Sequence, residues 1–309
     1  MNGKLFQNKL FMSMAALFCC ALWGISTPIV KMGYAYADPQ HIPSLLLWAG
    51  IQFALAGCLI IGMRSIVARK PVYPKRENMK GVLLVSLFQT VLQYSLLYIG
   101  LSFTTSVKGA ILKSTDVFFV MLIASLIFRQ EKLTLKNVIA CVIGFAGIVI
   151  MNLEGLKLSF TLLGDGLVLL AIVVYSFSVL FTKNFAQHEE PAVLCGYQMT
   201  IGGYVMLTLG LSFGGRVDLW GLLPIILCLA ALYAVSYSLW TVLLKYHPAS
   251  KVTIHSFLTP VFGVVFSTFM LTEDGGVAPL NLIVALVLVS AGILLWGYNK
   301  KNQNRRAEK

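Results

Sequence analysis

Ten long apolar runs, parted by short polar or charged segments, take up most of the chain. They lie at about 10–32, 43–63, 80–101, 104–128, 134–152, 160–183, 192–213, 221–244, 248–271 and 278–298. A helix needs about 20 apolar residues to cross the hydrocarbon core of a bilayer. Each run therefore predicts one spanning helix, and the fold class expected is all-α integral membrane with ten transmembrane helices. The first run follows Lys4 and Lys9 and has the look of a leader, but it is too long and is read as a retained helix.

The polar positions within the runs repeat. At an offset of 144, Gln89 and Gln93 fall on Tyr233 and Tyr237, Ser106 falls on Ser250, and Thr115-Asp116 falls on Thr259-Pro260. At an offset of 152, Trp23-Gly24, Ser26 and Lys31 fall on Tyr175-Ser176, Ser178 and Lys183. Gln52 matches Gln198, and Ala146-Gly147-Ile148 matches Ala291-Gly292-Ile293. This divides the chain into a first repeat (1–151), a second (160–298) and a basic tail (299–309). Five crossings per repeat would invert the second relative to the first, the architecture of carriers that work by alternating access.

Composition agrees with a lipid environment: 58% hydrophobic residues, 12% charged residues and a mean hydropathy of +0.82. The net charge of +12 could suggest a nucleic-acid binder. Its placement argues against one. With both termini inside, 19 of the 24 Lys and Arg fall in inner segments, and Lys31, Lys157 and Arg216 in outer ones. That bias fixes N-in, C-in in a cytoplasmic membrane and predicts attraction to anionic lipid head groups. Cys19, Cys20, Cys58, Cys141, Cys195 and Cys228 sit in apolar runs without CxxC spacing, so they read as small buried hydrophobes.

Charged groups inside an apolar run are the sharpest chemical signal, because ionised groups in mid-membrane cost several kcal/mol. Lys113 and Asp116 are spaced i, i+3 and can share a helix face. They either line a path, with Asp116 taking a substrate ammonium or a proton and Lys113 a carboxylate, or form a self-neutralised structural pair. Lys108, nearer the outer end, is expected to snorkel. Gln89 and Gln93, and likewise Tyr233, Tyr237 and Trp240, form single-face stripes. Such stripes wall a cavity or glue helices together. Gln52 and Gln198 are a symmetric pair that suits cavity or packing equally, and His255 is expected to be a hydrogen-bonded core residue or a proton carrier. Pro28 and Pro260 are expected to kink their helices, and Gly144 and Gly147 to allow close packing.

With these residues on the page, the chain resembles the drug/metabolite transporter superfamily with two EamA-type repeats. The likeness rests on the aromatic-Gly-x-Ser stretch Trp23-Gly24-Ile25-Ser26, on Gln198, on Leu258-Thr259-Pro260-Val261-Phe262, and on Glu131 and Glu273 after the fourth and ninth runs. It covers about residues 10 to 298. The chain departs from the family pattern where Gln52 stands in place of an Arg and Asp116 in place of a Pro. The resemblance implies the fold and a transport role, not the cargo.

The function expected is a secondary transporter for a small polar organic solute such as an amino acid, a related metabolite or a drug-like amine. A proton gradient is one candidate driving force. Its partners would be the solute and the bilayer, with a homodimer left open and no nucleic acid. No Walker loop, GxGxxG or HExxH occurs in the sequence, and its histidines are scattered, so no cofactor, metal or enzymatic activity is expected. The alternative is a membrane-embedded enzyme or receptor-like scaffold on the same fold.

Overall fold

The structure is a computed structural model that describes residues 3–104, 106–153, 160–270 and 279–307. The helices are α1 Lys9–Gly33, α2 Ile42–Ala68, α3 Arg76–Ser102, α4 Lys108–Ile127 and α5 Leu135–Met151, then α6 Leu162–His188, α7 Pro191–Ser212, α8 Leu219–Tyr246, α9 Ala249–Met270 and α10 Pro279–Ala307. Among the described residues there is no strand. Eight of these helices, α1–α4 and α6–α9, are long and apolar enough to span a membrane; α5 and the apolar part of α10, Leu280–Trp296, are shorter. Glu273, Lys157, residues 154–159 of the joining segment and the side chain of Ser106 lie outside the described residues.

Local chemistry sets the helix starts. Asn8 accepts the Leu10 N–H at 2.9 Å, and Thr134 and Asp218 cap α5 and α8 in the same way. Pro43 and Pro191 occupy first-turn positions, where the missing N–H costs nothing. The basic tail from residue 299 continues α10 as helix through Ala307, because its Lys, Arg and Gln are good helix formers. One expectation is corrected here. Cys58 and Cys228 are exposed on the bundle surface, where a thiol is tolerated as a small apolar group.

The helices pack in a regular set of pairs. α2 lies along α7, and α5 along α10. α1 contacts α8 and α9, as α6 contacts α3 and α4; α8 crosses α2, as α3 crosses α7. The α2–α7 seam is a backbone-to-backbone contact. A Cβ on Gly203 would overlap the Ala54 backbone nitrogen and stand 2.8 Å from its Cα, and one on Gly50 would stand 2.6 Å from the Leu207 Cα. Small residues at such seams are how membrane helices gain van der Waals contact without a hydrophobic driving force. Gly147, against the Ala285 carbonyl, plays the same part between α5 and α10.

Glu189, in the turn between α6 and α7, ties that turn to the α2–α3 connection. Its carboxylate accepts the Lys75 backbone N–H at 2.9 Å and the Asn78 amide at 3.1 Å, while Arg64 pairs with the adjacent Glu190. Burial acts to raise Glu189, but these hydrogen bonds outweigh it and hold the group below its ordinary 4.5. A depressed carboxylate stabilises the fold above its unfolded value and loses that contribution as pH falls through the folded one. The thermal midpoint in detergent should therefore drop as pH is lowered below 4.5, and Glu189→Gln should flatten that slope.

Candidate functional site

Two helices that pack against each other, α4 and α9, are both interrupted. In α4 the helix stops at Lys113, turns through Ser114 and Thr115, and restarts at Asp116. In α9 a tight 3-10 turn, Ile254–Phe257, separates Ala249–Thr253 from Leu258–Met270, and Pro260 stands in the first turn of the resumed helix. Broken helices at mid-membrane are the usual way a carrier builds a polar site. Here the breaks meet: Ser256 of α9 donates its hydroxyl to both oxygens of Asp116, at 3.1 and 3.2 Å, and Asp116 is only 7% exposed.

The expected Lys113–Asp116 pair is corrected. Among the described residues no ion pair joins Lys113 to Asp116, and Lys113 is exposed. The break between the two residues removes the continuous helix face that i, i+3 spacing assumes. Lys108 is corrected as well: it does not snorkel. Its ammonium lies 2.6 Å from Asp165, which is 1% exposed and also accepts from Thr104 and the Thr161 N–H. Asp165 sits in a π-helical opening turn of α6, Leu162–Gly166, so this pair joins the two halves of the chain. The sequence reading missed it because a lone Asp near the end of an apolar run carries no sign of its partner.

The polar-aromatic stripes separate into two groups. Gln89, on a π-helical turn of α3, accepts from Thr182 of α6 at 3.1 Å, so it is engaged between helices. Tyr233, Tyr237 and Trp240 join a cluster reaching across four helices. Trp23 lies 4.8 Å from Trp240 and 5.4 Å from Tyr237, Phe53 lies 4.5 Å from Tyr94 and 5.4 Å from Tyr233, and the Tyr94 and Tyr237 hydroxyls hydrogen-bond. Within this region the indole N–H groups of Trp23 and Trp240 and the Gln93 carbonyl make no hydrogen bond to protein. Buried polar groups rarely stay unsatisfied, so these are groups that a solute or water can engage. Trp23, Phe53 and Tyr94 were not singled out as site residues from sequence, although Tyr94 adjoins Gln93.

Gln52 and Gln198 are not alike in the structure. Gln198 accepts from Thr90 at 2.8 Å; Gln52, 2% exposed, has an unpartnered carbonyl and borders a cavity of about 10 Å³ with Trp48, Tyr34 and Tyr98. At the repeat offset Thr90 corresponds to Ala234, so the second repeat has no hydroxyl at that position. A space of this size holds about one water molecule. His255 is 2% exposed; its Nδ1 is 3.2 Å from the Val252 carbonyl and its Nε2 is unpartnered. No group of three or more His, Cys, Asp or Glu able to hold a metal occurs among the described residues.

A family model described as the EamA-like transporter family matches residues 10–153 and again 162–298. The chain is 27% identical over 299 residues to the uncharacterized transporter YvbV of Bacillus subtilis, with 94% of this chain and 92% of that one covered. It is also 27% identical to an uncharacterized transporter of Methanothermobacter thermautotrophicus, with 94% and 88% covered. One solved crystal structure superposes with a TM-score of 0.74 at 14% identity, covering 98% of this chain and all of the other; at that identity the likeness is one of fold.

Proposed function

The chain belongs to the EamA-like transporter family, and on that premise we propose that it is a secondary transporter. It carries a small polar organic solute across the cytoplasmic membrane by alternating access. Ten crossings in two inverted repeats, with both termini inside, are the frame of this reading. It is supported by the packing pairs named above, which map onto themselves when each helix is exchanged for the one five places later; the α6–α8 contact has no comparable counterpart.

The observation that carries the mechanism is an asymmetry between the two ends of that frame. At the end bearing the N-terminus, residues Ala249 to His255 of α9 are all buried, packed with Met12, Ala16, Leu243 and Leu244 in one core. The His247 ring also contacts the Phe6 carbonyl there at 2.6 Å. At the corresponding stretch of α4, among the described residues, Gly109 and Ile111 are buried, Lys108 and Ala110 are half-buried, and Lys113 beyond them is exposed. Two equivalent helices in unequal surroundings are what a carrier sealed on one side presents. In the proposed orientation this is the state closed to the inside.

In this reading Trp23, Gln93, Tyr233, Tyr237 and Trp240 wall the path, with ring faces for a cation and unpaired polar groups for hydrogen bonds. Lys113 and Asp116 set its charge preference, while Gln89 and Gln198 hold helices in register. The test begins with a thermal-shift screen of purified protein against amino acids, nucleosides, sugars and amines, because a ligand of the folded state raises its midpoint by mass action. The stabilising solute is then followed into proteoliposomes. Saturable uptake supports the assignment; a solute that binds and is never translocated favours the scaffold alternative.

A further inference from the structure

We propose that Asp116 is the site of a coupling proton, and that its bond to Ser256 transmits the loading state to the two broken helices. The inference rests on the transporter reading above and assigns the ion that reading leaves open.

Asp116 is buried, at the start of the second segment of α4, and the side chain hydrogen-bonded to it is a hydroxyl from the opposite half of the chain. Among the described residues no ion pair reaches it. A carboxylate taken out of water, with one hydroxyl and the Val117 N–H as hydrogen-bond donors and Lys113 near it without forming an ion pair, retains part of its desolvation cost, and taking up a proton removes that cost. The surroundings fit a proton better than other cations. Near Asp116 stand Lys113 on α4, Cys20 from α1, Cys141 from α5 and Tyr175 from α6, with His255 next to Ser256 on α9. Two thiols and a phenol are not the oxygen cage that a hard metal ion requires. An organic ammonium would have to enter the packed core of Val117, Met121, Ala124 and Val261.

The step is a simple transfer. A proton from water on one face bonds to a carboxylate oxygen of Asp116, and the same O–H bond breaks toward water on the other face. While Asp116 is ionised, Ser256 makes a charge-assisted hydrogen bond across the α4–α9 crossing. Protonation turns it into a neutral one, roughly half as strong, and frees the two breaks to shift against each other. The counterpart position in the second repeat is Pro260, which cannot ionise, so the site is not duplicated at that position.

Infrared difference spectra of wild-type protein in lipid, recorded against pH without any solute, test this directly. The expected result is a protonated-carboxyl band that titrates, vanishes in Asp116→Asn and reappears shifted in Asp116→Glu. Spin labels at the exposed Leu126 of α4 and Phe269 of α9 should report a pH-dependent distance that Ser256→Ala abolishes. A titrating band that survives in Asp116→Asn, or no such band in the wild type, overturns the proposal. Neither readout involves a solute. A titrating Asp116 in a protein that translocates nothing would therefore refute the transporter reading alone, and saturable uptake without the band would refute the proton site alone.

Discussion

Gly203→Val is expected to leave little or no folded protein on extraction into detergent. The α2–α7 contact is the most extensive between helices among the described residues. Gly203 faces the Ala54 backbone and Gly50 faces the Leu207 backbone, so a side chain at either place meets main chain that cannot rotate away. Overpacking a well-filled interior costs about 1–3 kcal/mol, and more where backbone must move. Here a helix axis must move, and with it the buried Gln198 of α7 and Gln52 of α2. Size-exclusion profiles and thermal unfolding read the effect. Gly62→Ala, on the partner helix α2 at a point where an added Cβ meets nothing within 4 Å, should behave as wild type. Equal damage from both substitutions would mean that the α2–α7 pair is sensitive to any change and that the seam has no special part.

Asp116→Asn should abolish gradient-driven uptake of the solute found by the thermal screen while leaving expression, insertion and unfolding close to wild type. Asn preserves the shape and can still accept the Ser256 hydroxyl, so the bundle keeps its crossing. What it loses is the ability to change charge. Flux in proteoliposomes under an imposed pH difference is the measurement. Unchanged flux would remove Asp116 from the mechanism.

The framework was legible in the sequence because its signals are local. Runs of about 20 apolar residues mark helices wherever they occur, and α1, α2, α7 and α8 begin and end within a few residues of the expected points. Tyr237 and Trp240 were legible as one face of one helix. The partnerships were not. Ser256 meets Asp116 across 140 residues and Asp165 meets Lys108 across 57, and nothing local in either segment announces the other. The Lys113–Asp116 pair failed for a related reason: i, i+3 spacing implies contact only along an unbroken helix, and the turn at Ser114–Thr115 breaks this one. Gln52 and Gln198 look equivalent as letters. They differ because one is answered by Thr90 while the position matching Thr90 in the other repeat is Ala234.

The central claim is that α4 and α9 exchange accessibility. It is tested by single cysteines at Ala110 of α4 and Val252 of α9, each in a background without the six native cysteines and probed with a membrane-impermeant thiol reagent from each face. Ala110 is half-buried and Val252 fully buried in the state described. Reactivity at the two positions should change in opposite directions when the stabilising solute or a pH difference is applied, with Val252 becoming reactive from the inner face as Ala110 is protected from the outer one. Reactivity fixed at both positions under every condition, or rising at both together, would contradict alternating access.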